Sequence, residues 1–122
     1  MKIFVILGAV FGALSVAAGA FGAHALRSQL EPRMLEVFET AARYQMYHAL
    51  ALFAAAWLVQ QTQAPAAQVA GWAFVAGILL FSGSLFAMTF TGVRALGTIT
   101  PIGGVAFIVG WCALAAAAMK LR

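Results

Sequence analysis

The chain alternates between long apolar runs and short polar connections. Four runs contain no charged residue: residues 3–23, 44–59, 69–90 and 101–119. An α-helix rises 1.5 Å per residue, so about 20 apolar residues cross hydrocarbon about 30 Å thick. The pattern predicts an all-α integral membrane four-helix bundle, formed by a single membrane domain of residues 1–122.

The second apolar run is short for a crossing, and an amphipathic helix over residues 32–43 is predicted to lead into it. Its apolar positions recur at helical spacing, and its polar positions share another face. The apolar stripe is Met34, Leu35, Phe38, Ala42 and Met46, and the polar one is Glu36, Glu39, Thr40 and Arg43. Pro32 suits a first helical position, while Ser28 with Glu31 resembles a capping box, so two starts remain open. We expect an interfacial helix, with partner docking as the alternative.

The first run also resembles a signal peptide. Lys2 precedes it, and the small residues around His24 fit a cleavage site. The run is, however, long for the apolar part of a signal, so we expect a retained helix.

Small residues recur every three or four positions in the first and last runs. In lipid, helices associate through close backbone approach, which small side chains permit. The stripe can build the monomer's own bundle or a contact between copies, and both remain open. The predicted packing positions are Gly8, Gly12, Ser15, Gly19 and Gly22 in the first run and Gly103, Ala106, Gly110, Ala113 and Ala117 in the last.

Composition agrees with a membrane protein. Of the 122 residues, 65% are hydrophobic and 8% are charged, too few for the surface of a soluble domain of this size. The lone Cys112 excludes a disulfide framework and a cysteine-cluster metal site. The net charge of +4 comes from basic residues at span ends, where topology and anionic lipids account for them. Membrane lipids are therefore expected partners and nucleic acid is not.

Polar residues are unevenly distributed between the two ends of the predicted bundle. The connection at residues 60–68 is an uncharged turn, whereas residues 24–43 and 91–100 share the opposite end. Thr100 followed by Pro101 predicts an N-cap and first turn, and Arg94 has two candidate partners, a glutamate or lipid phosphates. We expect any function to lie on a polar face made of His24, Glu39, Arg43, Tyr44, Gln45, Tyr47, His48, Arg94 and Thr100.

The two histidines are the strongest candidates for chemistry. His24 and His48 lie at span ends with Tyr44 and Tyr47 nearby, but two histidines without cysteine or carboxylate at ligand spacing make a poor metal or haem site. Hydrogen bonding between helices is the expected role, with a proton-responsive His48 as the alternative. No nucleophile–base pair, carboxylate pair or phosphate loop is recognisable, and Ser82-Gly83-Ser84 is explained by helix packing. No enzyme activity, cofactor or metal is predicted.

Several motifs together resemble a known family. They are Gly19-Ala20-Phe21-Gly22-Ala23-His24, Tyr47-His48-Ala49-Leu50-Ala51-Leu52, Phe81-Ser82-Gly83-Ser84-Leu85 and Ile99-Thr100-Pro101-Ile102-Gly103-Gly104. Over nearly the whole chain the sequence resembles the domain of unknown function family 423 (UPF0382), bacterial inner-membrane proteins similar to eukaryotic transmembrane protein 256. The resemblance implies several spans and no established activity, and it supplies no catalytic residues.

Two functions are compatible with these patterns. The first is a non-enzymatic accessory or scaffold protein that packs within the membrane, against copies of itself or a larger complex. The second is an oligomer that handles small molecules, lipids or ions through a polar site around His24 and His48. No charge lies deep in a span, which counts against coupled transport. Basic residues are nearly balanced between the two sides, and the signal-like start favours cytoplasmic termini.

Overall fold

The computed structural model describes residues 1–122 except for the side chain of Ala23, and the described chain is helical without strands. The all-α prediction is therefore confirmed. Its four long helices are α1 (Lys2–Leu26), α2 (Pro32–Thr62), α3 (Pro65–Thr91) and α4 (Thr100–Ala118). Two of them contain a π-helical turn, Ala17–Gly22 in α1 and Ile78–Ser82 in α3, and the 3₁₀ turn Arg94–Thr98 precedes α4.

Proline and left-handed residues set the helix boundaries. Pro32, Pro65 and Pro101 each lie in a first turn, where the missing N–H has no intrahelical partner to lose. The residues that follow α2 and α3 are left-handed: Gln63 has φ 52° and Gly92 has φ 71°. Glycine adopts this conformation without strain. The Pro32 start is thus the one observed, and no side-chain capping bond supports the Ser28–Glu31 alternative.

The region predicted as an amphipathic helix followed by a short span is one uninterrupted helix. Helix α2 has 31 residues. In its first turns Phe38 is buried, and its ring makes edge contacts with Phe86 and Phe90 of α3. The first turns of α2 therefore pack inside the bundle and do not lie across its end.

Helix α2 runs antiparallel beside α1 over most of its length. A Cβ added at Gly22 would stand 2.6 Å from the Phe38 ring, and one added at Gly8 would stand 3.0 Å from the Ala49 carbonyl oxygen. These two contacts are separated by about 21 Å of α1. The glycines let the two backbones approach closely at both places.

Helices α3 and α4 make the closest helix contact. A Cβ added at Gly103 would lie 2.3 Å from the backbone nitrogen of Phe81, and one at Gly110 would lie 2.6 Å from the Phe74 ring. Phe74 and Phe107 belong to the main core cluster, which also contains Leu52 of α2. Among the predicted packing positions, those that are buried or face other helices include Gly8, Ser15, Gly22, Gly103, Gly110 and Ala117. Gly12 and Gly19 have no described atom of another part of the chain within 4 Å of an added Cβ.

The surface is more apolar than that of a soluble protein. Large apolar side chains are exposed on every helix, while the buried polar side chains are hydrogen-bonded within the described structure. Three described helices, Lys2–Leu26, Pro65–Thr91 and Arg94–Ala118, are long and apolar enough to cross a membrane. Helix α2 is not among these three.

Candidate functional site

His48 lies in the middle of α2 and is only 5% exposed. Its Nδ1 is 2.6 Å from the carbonyl oxygen of Tyr44, one turn earlier in the same helix. The indole nitrogen of Trp111 in α4 donates to Nε2 at 3.1 Å. Both ring nitrogens are therefore occupied by protein groups.

These two partners define the state of the imidazole ring. A carbonyl oxygen only accepts a hydrogen bond, and an indole N–H only donates one. His48 must therefore carry its proton on Nδ1 and present an unprotonated Nε2 to Trp111, which is the neutral form. Neither nitrogen is left over for a metal ion or a substrate.

Aromatic rings pack against His48. The Phe107 ring stacks on the imidazole with centroids 3.5 Å apart and planes inclined by 8°. Nearby, the Tyr44 and Phe81 rings are 4.8 Å apart. Since flat stacking fixes the ring's orientation, Phe107 holds both nitrogens toward their hydrogen-bond partners.

An open groove of about 500 Å³ borders this cluster on the outside of the bundle, and we call it the aromatic groove. Its lining is almost entirely apolar, and His48 at its base offers no free polar atom. Apart from Phe81 and Phe107, it is lined by Tyr44, Tyr47 and His48 of α2 and by Gly104, Ile108 and Trp111 of α4.

Gln45 faces a different helix. Its side-chain amide is buried and donates to the carbonyl oxygen of Phe11 in α1 at 3.0 Å. The same carbonyl accepts from the Ser15 hydroxyl at 2.8 Å. Gln45 and His48, three positions apart on one side of α2, therefore link it to two different helices, α1 and α4.

Hydroxyl groups connect α3 to the helices beside it. Ser82 is fully buried at the end of the α3 π turn and donates to the Ala41 carbonyl oxygen of α2 at 2.8 Å. Ser84 and Thr100 share a hydrogen bond of 2.6 Å between α3 and α4. The prediction that Thr100 caps α4 is therefore wrong, because Ile99 holds that position and the Thr100 hydroxyl bonds to Ser84.

Of the predicted polar face, Tyr44 and Tyr47 line the aromatic groove with His48, and the other members lie elsewhere. His24 and Arg94 are exposed near the ends of α1 and the 3₁₀ turn, and Tyr47 is exposed at the rim of the aromatic groove. Glu39 and Arg43 line a separate groove between α1 and α2. Among the described residues, no three His, Cys, Asp or Glu side chains converge as metal ligands would.

Trp111 and Phe107 are central to this site, and sequence reasoning did not select them. The available signal was the helical spacing of Gly104, Phe107, Ile108 and Trp111, which places them on one side of α4. This arrangement supports hydrogen bonding between helices, since both ring nitrogens of His48 are bonded to other protein groups.

Comparison with known proteins identifies relatives over the full chain. The family described as "Protein of unknown function (DUF423)" matches residues 18–104. The sequence is 47% identical to the UPF0382 membrane protein YwdK of Bacillus subtilis over 121 residues, covering 98% of each chain. It is 48% identical to the UPF0382 membrane protein SAB0533 of Staphylococcus aureus over 120 residues, again covering 98% of each. No solved structure matches the chain.

Proposed function

The chain belongs to the DUF423 family of uncharacterised membrane proteins, and we propose that it is a non-enzymatic accessory protein that packs against a partner protein within the bacterial inner membrane. The state of His48 carries this proposal. The residue best suited to chemistry has both ring nitrogens bonded to protein groups and a phenylalanine ring stacked on its face. Such a histidine stabilises a helix contact.

The aromatic groove is the proposed docking surface, and its proposed occupant is an apolar helix of the partner. Gly104 contributes no side chain to the groove wall, and small residues allow close backbone approach between helices in lipid. Ile108 projects beside it and is 64% exposed. Aromatic residues around the groove supply a large rigid contact area.

We further propose that α2 is a fourth crossing. The part of α2 without Lys, Arg, Asp or Glu runs from Tyr44 to Thr62, about 27 Å and close to the thickness of the hydrocarbon layer, and it packs on its neighbours as far as Leu58, clustered with Ala117 of α4. Between His48 and Val59 the exposed side chains of α2, such as Leu50 and Trp57, are apolar, while the polar His48 is buried. A helix that packs on several neighbours exposes less of its surface to lipid and can carry a less apolar sequence.

With four crossings, both termini lie on one side, and we propose the cytoplasmic side. The first turns of α2 then lie at the opposite interface, where the charged Arg33 and Glu36 meet headgroups and water. This retains the prediction of an interfacial segment, as the beginning of α2 rather than a separate helix.

Transport of small molecules or ions is the less supported alternative. It would need a water-accessible polar route to His48 from the end of the bundle that carries His24. The groove beside His48 is apolar and opens sideways toward lipid, and His24 has no described contact with it. These features favour a surface for packing over a path for polar solutes.

Photo-crosslinking in native membranes tests the accessory function. A benzophenone amino acid replaces Ile108 in the aromatic groove, and a matched variant carries it at Val105, which is 60% exposed on α4 outside the groove. We expect one discrete protein adduct from position 108 and only lipid adducts from position 105. Identical lipid-only patterns from both positions would contradict the proposal.

A further inference from the structure

A second groove, on the other side of α2, combines opposite charges with an unfilled gap. It lies between α1 and α2, has a volume of about 340 Å³, and shares no lining residue with the aromatic groove. We call it the α1–α2 groove. It is lined by Ser15 and Gly19 of α1 and by Glu39, Ala42, Arg43 and Met46 of α2.

One acidic and one basic side chain face this groove. Glu39 and Arg43 are one helical turn apart, with Glu39 half-buried and Arg43 exposed. The one described side-chain hydrogen bond of Arg43 runs from Nη2 to the Thr40 hydroxyl at 3.4 Å, a long contact. The guanidinium therefore retains most of its five N–H donors, and the Glu39 carboxylate retains its acceptors.

Opposite these charges the groove is lined by Gly19, which has no side chain to fill it. No described atom lies within 4 Å of the place where a Cβ on Gly19 would stand, in contrast to the tightly packed Gly22. The same is true of Gly12, about 10 Å further along α1 toward the middle of the bundle. These two glycines leave a smooth apolar strip that starts at the charged groove and runs inward.

The groove lies at the depth expected for lipid headgroups. Tyr44 and Tyr47 are both exposed on the turn of α2 that follows Arg43. Exposed tyrosines in membrane proteins concentrate at the boundary between hydrocarbon and headgroups. Glu39 and Arg43 precede these tyrosines in α2, and the strip lined by glycine starts beside them at Gly19 and continues to Gly12, further inside the bundle.

We propose that the α1–α2 groove binds a phospholipid whose headgroup carries a primary amine, such as phosphatidylethanolamine. The Arg43 guanidinium donates to the lipid phosphate, the Glu39 carboxylate accepts from the lipid ammonium, and one acyl chain lies along Gly19 and Gly12. A purely anionic headgroup would be repelled by Glu39, and a choline headgroup has no N–H to donate. A second protein helix would bury both charges away from water without supplying their partners, which is unfavourable.

Native mass spectrometry of the full-length protein tests the proposal. The protein is purified in detergent, incubated with mixed micelles of equal palmitoyl-oleoyl phosphatidylethanolamine and phosphatidylcholine, and the retained lipid is identified. One charge-assisted hydrogen bond corresponds to roughly a five- to tenfold preference. We expect the wild type to retain the ethanolamine lipid over the choline lipid by about that factor.

Three variants test the parts of the site separately, and a fourth variant serves as a matched control. Glu39→Gln keeps an acceptor but loses the charge, so it should lower the preference for the ethanolamine lipid while leaving total lipid retention unchanged. Arg43→Gln should reduce retention of both lipids by about fivefold or more, and Gly19→Leu should do the same by filling the groove. The control Glu36→Gln makes the same chemical change outside the groove and should behave as wild type.

Several results would overturn this site. They are equal retention of both lipids by the wild type, an undiminished preference in Glu39→Gln, an equal loss in Glu36→Gln, or a bound second protomer in place of lipid. None of them bears on crosslinking from position 108, which lies on the other groove. The lipid site and the accessory function therefore fail independently.

Discussion

The contact between α3 and α4 makes the stability of this protein sensitive to one methyl group at Gly103. In the substitution Gly103→Ala, the new Cβ would lie 2.3 Å from the backbone nitrogen of Phe81 and 2.8 Å from the carbonyl carbon of Leu80. Backbone atoms cannot rotate away as the end of a side chain can. The two helices must instead separate by on the order of 1 Å to restore van der Waals distances.

The expected loss follows from two opposing contributions. Overfilling a packed contact costs about 1–3 kcal/mol, and separating the helices also loosens the packing of Phe107 on Gly77 in the same interface. The intrinsic preference of helices for alanine over glycine offsets up to about 1 kcal/mol. We expect a net loss of about 1–2 kcal/mol in the free energy of unfolding.

Gly12→Ala is the matched control, because it makes the same chemical change where no described atom lies within 4 Å of the new Cβ. Only the helix preference acts there, so this variant should be unchanged or more stable by up to about 1 kcal/mol. Both free energies are measured by titrating the protein from mild detergent into sodium dodecyl sulfate and following tryptophan fluorescence. Equal stability of Gly103→Ala and wild type, or equal losses in the two variants, would refute the packing described for α3 and α4.

Two hydrogen-bond predictions use the same unfolding measurement. Trp111→Phe removes the donor to His48 Nε2 and should cost about 1–3 kcal/mol; in a double-mutant cycle with His48→Phe we expect a coupling of about 0.6–1.7 kcal/mol, and additive effects would show that the bond contributes nothing. Ser82→Ala removes the donor to the Ala41 carbonyl and should cost about 0.6–2 kcal/mol, whereas Ser28→Ala, at an exposed position, should cost nothing measurable. A Ser82→Ala variant as stable as Ser28→Ala would contradict the role of Ser82.

Much of the helical framework can be predicted from the sequence because lipid imposes a simple requirement. An uncharged apolar run of about 20 residues has few alternatives to a helix, so three of the predicted spans coincide with helices suited to crossing. Prolines at positions 32, 65 and 101 mark the starts of α2, α3 and α4, because the fixed φ of proline and its missing N–H suit a first helical turn.

The candidate site was less predictable because it depends on which helices are neighbours. His48 and Trp111 are 63 positions apart, and nothing local to either residue specifies their hydrogen bond. The spacing of Gln45 and His48 predicts that they share a face of α2, but it does not show that Gln45 bonds to α1 and His48 to α4. The sequence around Thr100 predicts a helix cap, but its hydroxyl forms a hydrogen bond with the Ser84 hydroxyl of α3 instead.

The sidedness of the two chain ends tests the central claim, that α2 is a crossing. Four crossings place both ends on the same side of the membrane, whereas crossing by α1, α3 and α4 alone places them on opposite sides. In a Cys112→Ser background, single cysteines near Met1 and at Arg122 are labelled in intact cells with a membrane-impermeant maleimide, before and after permeabilisation. We predict that both become reactive only on permeabilisation, as cytoplasmic ends must. Labelling of one end but not the other in intact cells would contradict the four-crossing bundle.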